Sequence, residues 1–229
     1  MIIVGDIHGD YDLMKKIVER FSREELVFLG DLCDSRKYSI KEQFSCVELG
    51  LNLVKEGRAK VILGNHELAY LPYNRVWSCS GYSPALNALL IPYYSNILEH
   101  FVPFLYFEDA KILLTHAGLT NHAVVEQSLE LEKLGDWLYD SYKDRKSVLY
   151  RIGRSRGGEF PFGGIWWCDF YEEFEPVKGI FQVFGHTPVK EAILTDNYAA
   201  IDCLQSDRKL VLRLDVDKGE VELLDLNRV

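Results

Sequence analysis

The chain has 229 residues, 48% hydrophobic and 27% charged, which excludes a disordered chain and allows one sizeable domain over residues 1–229. A net charge of -9 argues against a broad groove for a phosphate backbone, so no stable nucleic-acid binding is expected. No apolar run approaches membrane-spanning length, and no basic stretch precedes a long apolar one, so neither a membrane span nor a secretory leader is expected.

In chain order, Met1 to Val4 reads as a short strand that stops at Gly5-Asp6-Ile7-His8-Gly9. Asp12 to Phe21 carries Leu13, Ile17, Val18 and Phe21 at helical spacing. Leu26 to Leu29 is a second strand, and the intervening helix favours a parallel pair. Ile40 to Lys55 reads as a helix stopped by Gly57, and Ala59 to Leu63 as a third strand. Glu67 to Leu71 opens another helix, cut short by Pro72. Residues 72–104 are rich in Tyr, Trp and Pro, with short helices expected near Ala85 to Leu90 and Tyr94 to Leu98. They would form either a cap over a site or a packing layer. Phe104 to Phe107 and Lys111 to Thr115 read as a hairpin, and Leu129 to Tyr142 as a helix. Arg151 to Phe170 is a loop rich in glycine, arginine and aromatics. From Gly179 onward five short β-prone runs, ending with Glu220 to Asp225, read as antiparallel sheet. A crossover-rich first half and a meandering second half suggest an α/β sandwich of two sheets.

One construction recurs five times. An apolar run ends beside glycine in a residue able to bind metal or move a proton. The five places are Gly5-Asp6-Ile7-His8-Gly9, Gly30-Asp31-Leu32-Cys33-Asp34, Gly64-Asn65-His66-Glu67, His116-Ala117-Gly118 and Gly185-His186-Thr187-Pro188. Polar residues at the carboxyl ends of strands are where an α/β sheet places its chemistry. Asp6 and His8 are two apart, so an extended loop would point both side chains the same way. The donors Asp6, His8, Asp31, Asn65, His116 and His186 offer oxygen and nitrogen only. Such a set suits one or two divalent ions such as Mn, Fe, Zn or Ni. Two ions sharing a carboxylate suit in-line attack of water on phosphorus, and the leaving oxygen then needs a proton from a histidine that is not a ligand.

These blocks, in this order, resemble the motifs of calcineurin-like metallophosphoesterases, and within them the phosphoprotein phosphatase branch. The resemblance covers positions 5 to 188 and implies an α/β fold of two mixed β-sheets packed as a sandwich with flanking helices. It implies that Asp6 and His8 hold a first metal, that Asp31 bridges, and that Asn65, His116 and His186 complete a second site. It implies that His66 is the general acid, tuned by Asp34. The cofactor would be two divalent ions, Mn2+ first among them. The implied reaction is hydrolysis of phosphomonoesters, such as phosphoserine or phosphothreonine in a protein, by a metal-bridging hydroxide. The alternatives are a symmetrical dinucleoside polyphosphate hydrolase acting on diadenosine tetraphosphate, and an inactive metal-binding interaction module. The partners would be a phosphorylated protein or a small phosphate ester or nucleotide.

The chain departs from that pattern after Asp34, where Ser35-Arg36 stands in place of Arg-Gly. Arg36 reaches a substrate phosphate only if its loop bends differently. A second phosphate-binding arginine is expected from Arg156, with Arg154 in reserve. Trp77, Trp166 and Trp167 would either wall the site for a nucleobase or pack in the core. The five cysteines, Cys33, Cys46, Cys79, Cys168 and Cys203, form no CxxC pair and fit a reducing, cytoplasmic setting. His100 and His122 match no motif and read as ordinary surface residues.

Overall fold

The computed structural model describes residues 1–72 and 79–228. The elements are β1 (Ile2–Val4), α1 (Tyr11–Arg20), β2 (Leu26–Phe28), α2 (Ile40–Lys55), β3 (Ala59–Val61), α3 (Asn65–Tyr70), α4 (Pro84–Leu90), α5 (Tyr94–His100), β4 (Leu105–Phe107) and β5 (Ile112–Leu114). They continue with α6 (Asn121–Glu126), α7 (Leu134–Lys143), β6 (Phe181–Phe184), β7 (Ile193–Leu194), β8 (Tyr198–Ala200), β9 (Leu210–Asp215) and β10 (Glu220–Asp225). One sheet has the order β10-β9-β1-β2-β3 and the other β4-β5-β6-β8-β7.

Both sheets are mixed. In the first, β1, β2 and β3 run parallel. In the second, β5, β6 and β8 run parallel. The antiparallel reading of the C-terminal part therefore needs correction in three places. β6 pairs in parallel with β5, β8 pairs in parallel with β6, and the β9–β10 hairpin leaves its sequence neighbours to pair with β1 in the other sheet. A short β-prone run carries no local record of its partner or its direction.

Side chains alternate between two cores, as the twofold period of a strand requires. Ile3, Val27 and Leu29 meet Leu114, Val183 and Ile201 between the sheets. Ile2, Val4 and Phe28 face the other way, onto Met14, Ile17, Val47 and Leu51 of the outer helices. On the opposite flank Leu113 packs with Leu138 and Trp166. Each fully buried aliphatic of this kind contributes about 1.5–3 kcal/mol of transfer free energy.

α2 spans the residues expected from the sequence, because both its ends are encoded locally. Ser39 caps it: its Oγ accepts from Glu42 N at 3.3 Å, and Glu42 Oε2 accepts from Ser39 N at 2.8 Å. Gly57 follows with φ 70°. α4 and α5 pack against α2, with Leu86, Leu90 and Ile97 in the core. These helices are the described part of the expected cap region. Its residues 73–78, and with them Trp77, lie outside the described residues. α6, absent from the sequence reading, follows directly after the His116 loop.

Candidate metal centre

Parallel strands put their carboxyl ends on one side. The loops after β1, β2 and β3 therefore meet those after β5 and β6 at one edge of the sandwich. The joint between the sheets is a hydrogen bond: His116 Nδ1 lies 2.8 Å from Leu29 O. A carbonyl only accepts, so Nδ1 carries the proton and the Nε2 lone pair faces the cleft. His8 is oriented in the same way, with Nδ1 3.0 Å from Asp34 O and 3.2 Å from Cys33 O.

All six expected ligand residues converge. Asp31 Oδ2 lies 3.4 Å from His116 Nε2, 3.7 Å from His66 Nε2 and 3.9 Å from His8 Nε2. Asp6 Oδ2 is 3.9 Å from His8 Nε2. Asn65 Oδ1 is 2.7 Å from His116 Nε2 and 3.0 Å from His186 Nδ1. The ligand atoms of His8, Asp31 and His66, and those of Asp31, His116 and His186, each lie within 4.8 Å of one another. Asn65 cannot flip its amide away, because its Nδ2 donates to Cys79 Sγ at 3.2 Å.

Lone pairs meeting lone pairs demand a positive charge between them, and this supplies the test of whether the residues suit metal ions. Burial pulls the His116 imidazole down, but Asp31 and Asp6 outweigh it and raise it to about 10. A proton thus stands where a cation fits. Burial likewise raises the Asp6 carboxyl to about 7. Burial also pulls Asp31 upward, yet His116 and His66 prevail and hold it well below the usual carboxylate range. Two carboxylate and imidazole sets that share one buried acid, Asp31, fit divalent ions with oxygen and nitrogen ligands.

His66 is placed differently. Its Nδ1 lies 2.8 Å from Asp34 Oδ2, while Asp34 Oδ1 accepts from the Tyr70 hydroxyl. Only Nε2 faces the cleft. Burial depresses this imidazole, but Asp31 and Asp34 together raise it to about 9.

The backbone of the centre is strained where the ligands sit. His8, Asp31, Asp34 and His186 have φ of 47°, 51°, 60° and 67°. Left-handed backbone at non-glycine residues costs on the order of 1–3 kcal/mol each and persists only where neighbours impose it. The loop after β1 is therefore not extended, and the expected alternation of Asp6 and His8 is not what aligns them. Glycines allow the close approaches: a Cβ at Gly64 would lie 2.1 Å from Asp31 Oδ1, and one at Gly185 2.2 Å from Asp6 Oδ1.

Glu67 imposes part of this geometry, a role the sequence reading missed. Its buried carboxylate accepts from Asp31 N and Leu32 N at 2.8 Å, Gly64 N at 3.0 Å and Cys33 N at 3.3 Å. A glutamate three residues after the helix cap was the available signal. Glu67→Ala leaves these donors buried without a partner and is expected to lower unfolding free energy by about 4 kcal/mol. Urea unfolding of the metal-free protein measures this, and a loss below 1 kcal/mol would contradict the role.

Glu173 does the same for the arginine loop, accepting from Gly163 N at 2.8 Å, Ser155 N at 3.0 Å and Asp169 N at 3.3 Å. Arg156 lines the cleft, a space of about 380 Å³, together with His8, Asp31, His66, Trp167 and His186. Its Nη2 reaches Asp169 Oδ2 at 3.0 Å and Thr187 Oγ1 at 2.7 Å. Arg154 is exposed. Arg36 is exposed too, with Nη2 2.9 Å from Ser80 Oγ at the rim of the cleft. Trp167 lines the cleft, whereas Trp166 is fully buried in the core. His122 pairs with Glu175 at 3.6 Å, on the surface.

The family model for calcineurin-like phosphoesterases matches residues 1–212. The asymmetrical bis(5'-nucleosyl)-tetraphosphatase PrpE of Halalkalibacterium halodurans is 24% identical, over 87% of this chain and 83% of its own length. A symmetrical bis(5'-nucleosyl)-tetraphosphatase of Psychromonas ingrahamii is 28% identical, over 55% of this chain and 46% of its own. Among solved structures, the cold-active protein-tyrosine phosphatase of a psychrophilic Shewanella species superposes with a TM-score of 0.55 at 18% identity. That match covers 97% of this chain and 79% of the other, and supports the fold.

Proposed function

Because the chain belongs to the calcineurin-like phosphoesterase family, and is thereby a metal-dependent hydrolase of phosphoric ester bonds, we propose that its substrate is a dinucleoside polyphosphate. The relatives that match over most of the chain carry that name in its asymmetrical form. The carrying observation in the structure is the convergence of Asp6, His8, Asp31, Asn65, His116 and His186 beside a cleft that the Trp167 indole lines. The phosphoserine or phosphothreonine reading keeps support from a probable serine/threonine-protein phosphatase of Encephalitozoon cuniculi, 28% identical over 57% of this chain and 29% of its own length.

In this reading Asp6, His8 and Asp31 would hold one ion, and Asp31, Asn65, His116 and His186 would hold the other. Mn2+ suits the donors. When bound, the pair supplies positive charge for the phosphoryl oxygens and lowers the pKa of the attacking water. The protein's own steps are then few. Arg156 meets the phosphate with its planar fork, in exchange for Asp169. Trp167 offers a face for a base. His66 holds a proton on Nε2, which faces the cleft, and gives it to the leaving oxygen, while Asp34 keeps the ring in place through Nδ1.

The test is product analysis on Mn2+-loaded protein. Diadenosine tetraphosphate is expected to give ATP and AMP, with kcat/KM above that for phosphoserine and phosphothreonine peptides. Two ADP would make the cleavage symmetrical. A preference for the phosphopeptides would overturn the substrate assignment and leave the phosphoesterase intact.

A further inference from the structure

Asp202 has a buried carboxyl, 4% exposed, whose Oδ2 has no hydrogen-bond partner. A buried acceptor left unpaired needs a reason, because nothing repays its lost hydration. The backbone places it between two ligand loops. Ile201 N donates to Phe184 O at 2.9 Å, and Asp202 O accepts from Val189 N at 2.9 Å, which fixes it beside the His186 loop. A Cβ at Gly5 would lie 2.6 Å from Ile201 O and 3.4 Å from Asp202 Cα, so the Asp6 loop runs directly against it. Gln205 Nε2 reaches Ile7 O at 3.1 Å and closes the same side. The charged groups whose fields reach the carboxyl are those of Asp6, His8, Asp31 and His116. Its chain position also fits: β8 is a sixth apolar run that ends in a metal-capable residue, here without a glycine.

We infer that Asp202 is a further positioning residue of the centre, an acidic group behind the Asp6–His8 side that strengthens the hold on the divalent ion there. The backbone of Ile201 and Asp202 lies against the Gly5 end of the Asp6 loop, so Asp202 acts from behind the ligands and not as one of them. A carboxyl with a free acceptor at that depth accepts from whatever polar group the ion carries toward it, and a nearby cation favours its charged form.

This rests on the reading that Asp6, His8 and Asp31 hold an ion. The experiment is a calorimetric titration of the metal-free protein with Mn2+, comparing native chain, Asp202→Asn and Asp202→Ser. One of two dissociation constants is expected to weaken about 10- to 100-fold in both variants, and the other to stay within about threefold. The melting temperature of the metal-free variants is expected not to fall, since the removed oxygen has no bond to lose. Two native-like dissociation constants would overturn the inference, as would failure of both variants to fold. The underlying reading fails separately, if Asp6→Asn binds Mn2+ as the native chain does.

Discussion

His66→Asn is expected to lower kcat by about 10²- to 10⁴-fold while the protein keeps both ions. The ring's only open nitrogen, Nε2, faces the cleft, and Asp34 holds the other at 2.8 Å. Asparagine fills a similar space but has no proton to give. The loss should depend on the leaving group. An alkyl ester leaves as a strongly basic alkoxide and needs the proton, whereas nitrophenolate leaves without it. A comparison of the two substrates therefore separates proton donation from a general disturbance of the site. Equal losses on both, or a missing metal, would remove His66 from this role.

The pH profile gives a second sign. The imidazole, pulled down by burial but raised further by Asp31 and Asp34 to about 9, is charged below that value and neutral above it. An acid that must be protonated is lost as pH rises, so kcat falls on the alkaline side. Bound dications repel the charged ring and bring the fall to about pH 9 or below. The same raised value links to stability. The contribution is complete below the unfolded value, about 6.5, and disappears as pH rises through about 9. His66→Asn should abolish this alkaline limb of the profile.

Asp31→Asn is expected to weaken both ions and to cut kcat/KM on the order of 10³-fold or more, because several kcal/mol of transition-state stabilisation depend on them. Among the described residues Asp31 is the one acid within 4 Å of His8, His66 and His116 together. Its Oδ1 also accepts from His66 N at 3.0 Å, so it sets the start of α3. An amide removes the charge and keeps the shape. Glu67 bonds the Asp31 backbone, not its side chain, so the loop should survive the change. Metal content after dialysis would measure the outcome. Two ions retained with native dissociation constants would show that Asp31 does not bridge.

The sequence by itself determined the chemistry of this protein and most of its local structure. An apolar run, a glycine and a metal-capable residue are adjacent in the chain, so Asp6, Asp31, Asn65, His116 and His186 could be found without knowing what surrounds them. α2 was legible to the residue because Ser39, Glu42 and Gly57 act over one turn. Only the tertiary structure decided the rest. It turned β8 parallel to β6 and carried β9 to β1, since a strand's partner is chosen by the whole sheet and not by its own residues. It gave His8, Asp31, Asp34 and His186 a left-handed backbone, held in part by the buried carboxylate of Glu67, which bonds donors more than thirty positions away. It paired Arg156 with Asp169, set Trp166 in the core and Trp167 in the cleft, and left Asp202 Oδ2 without a hydrogen-bond partner among the described residues. Contacts of that kind join residues far apart in the chain, and burial, which sets their strength, exists only after folding.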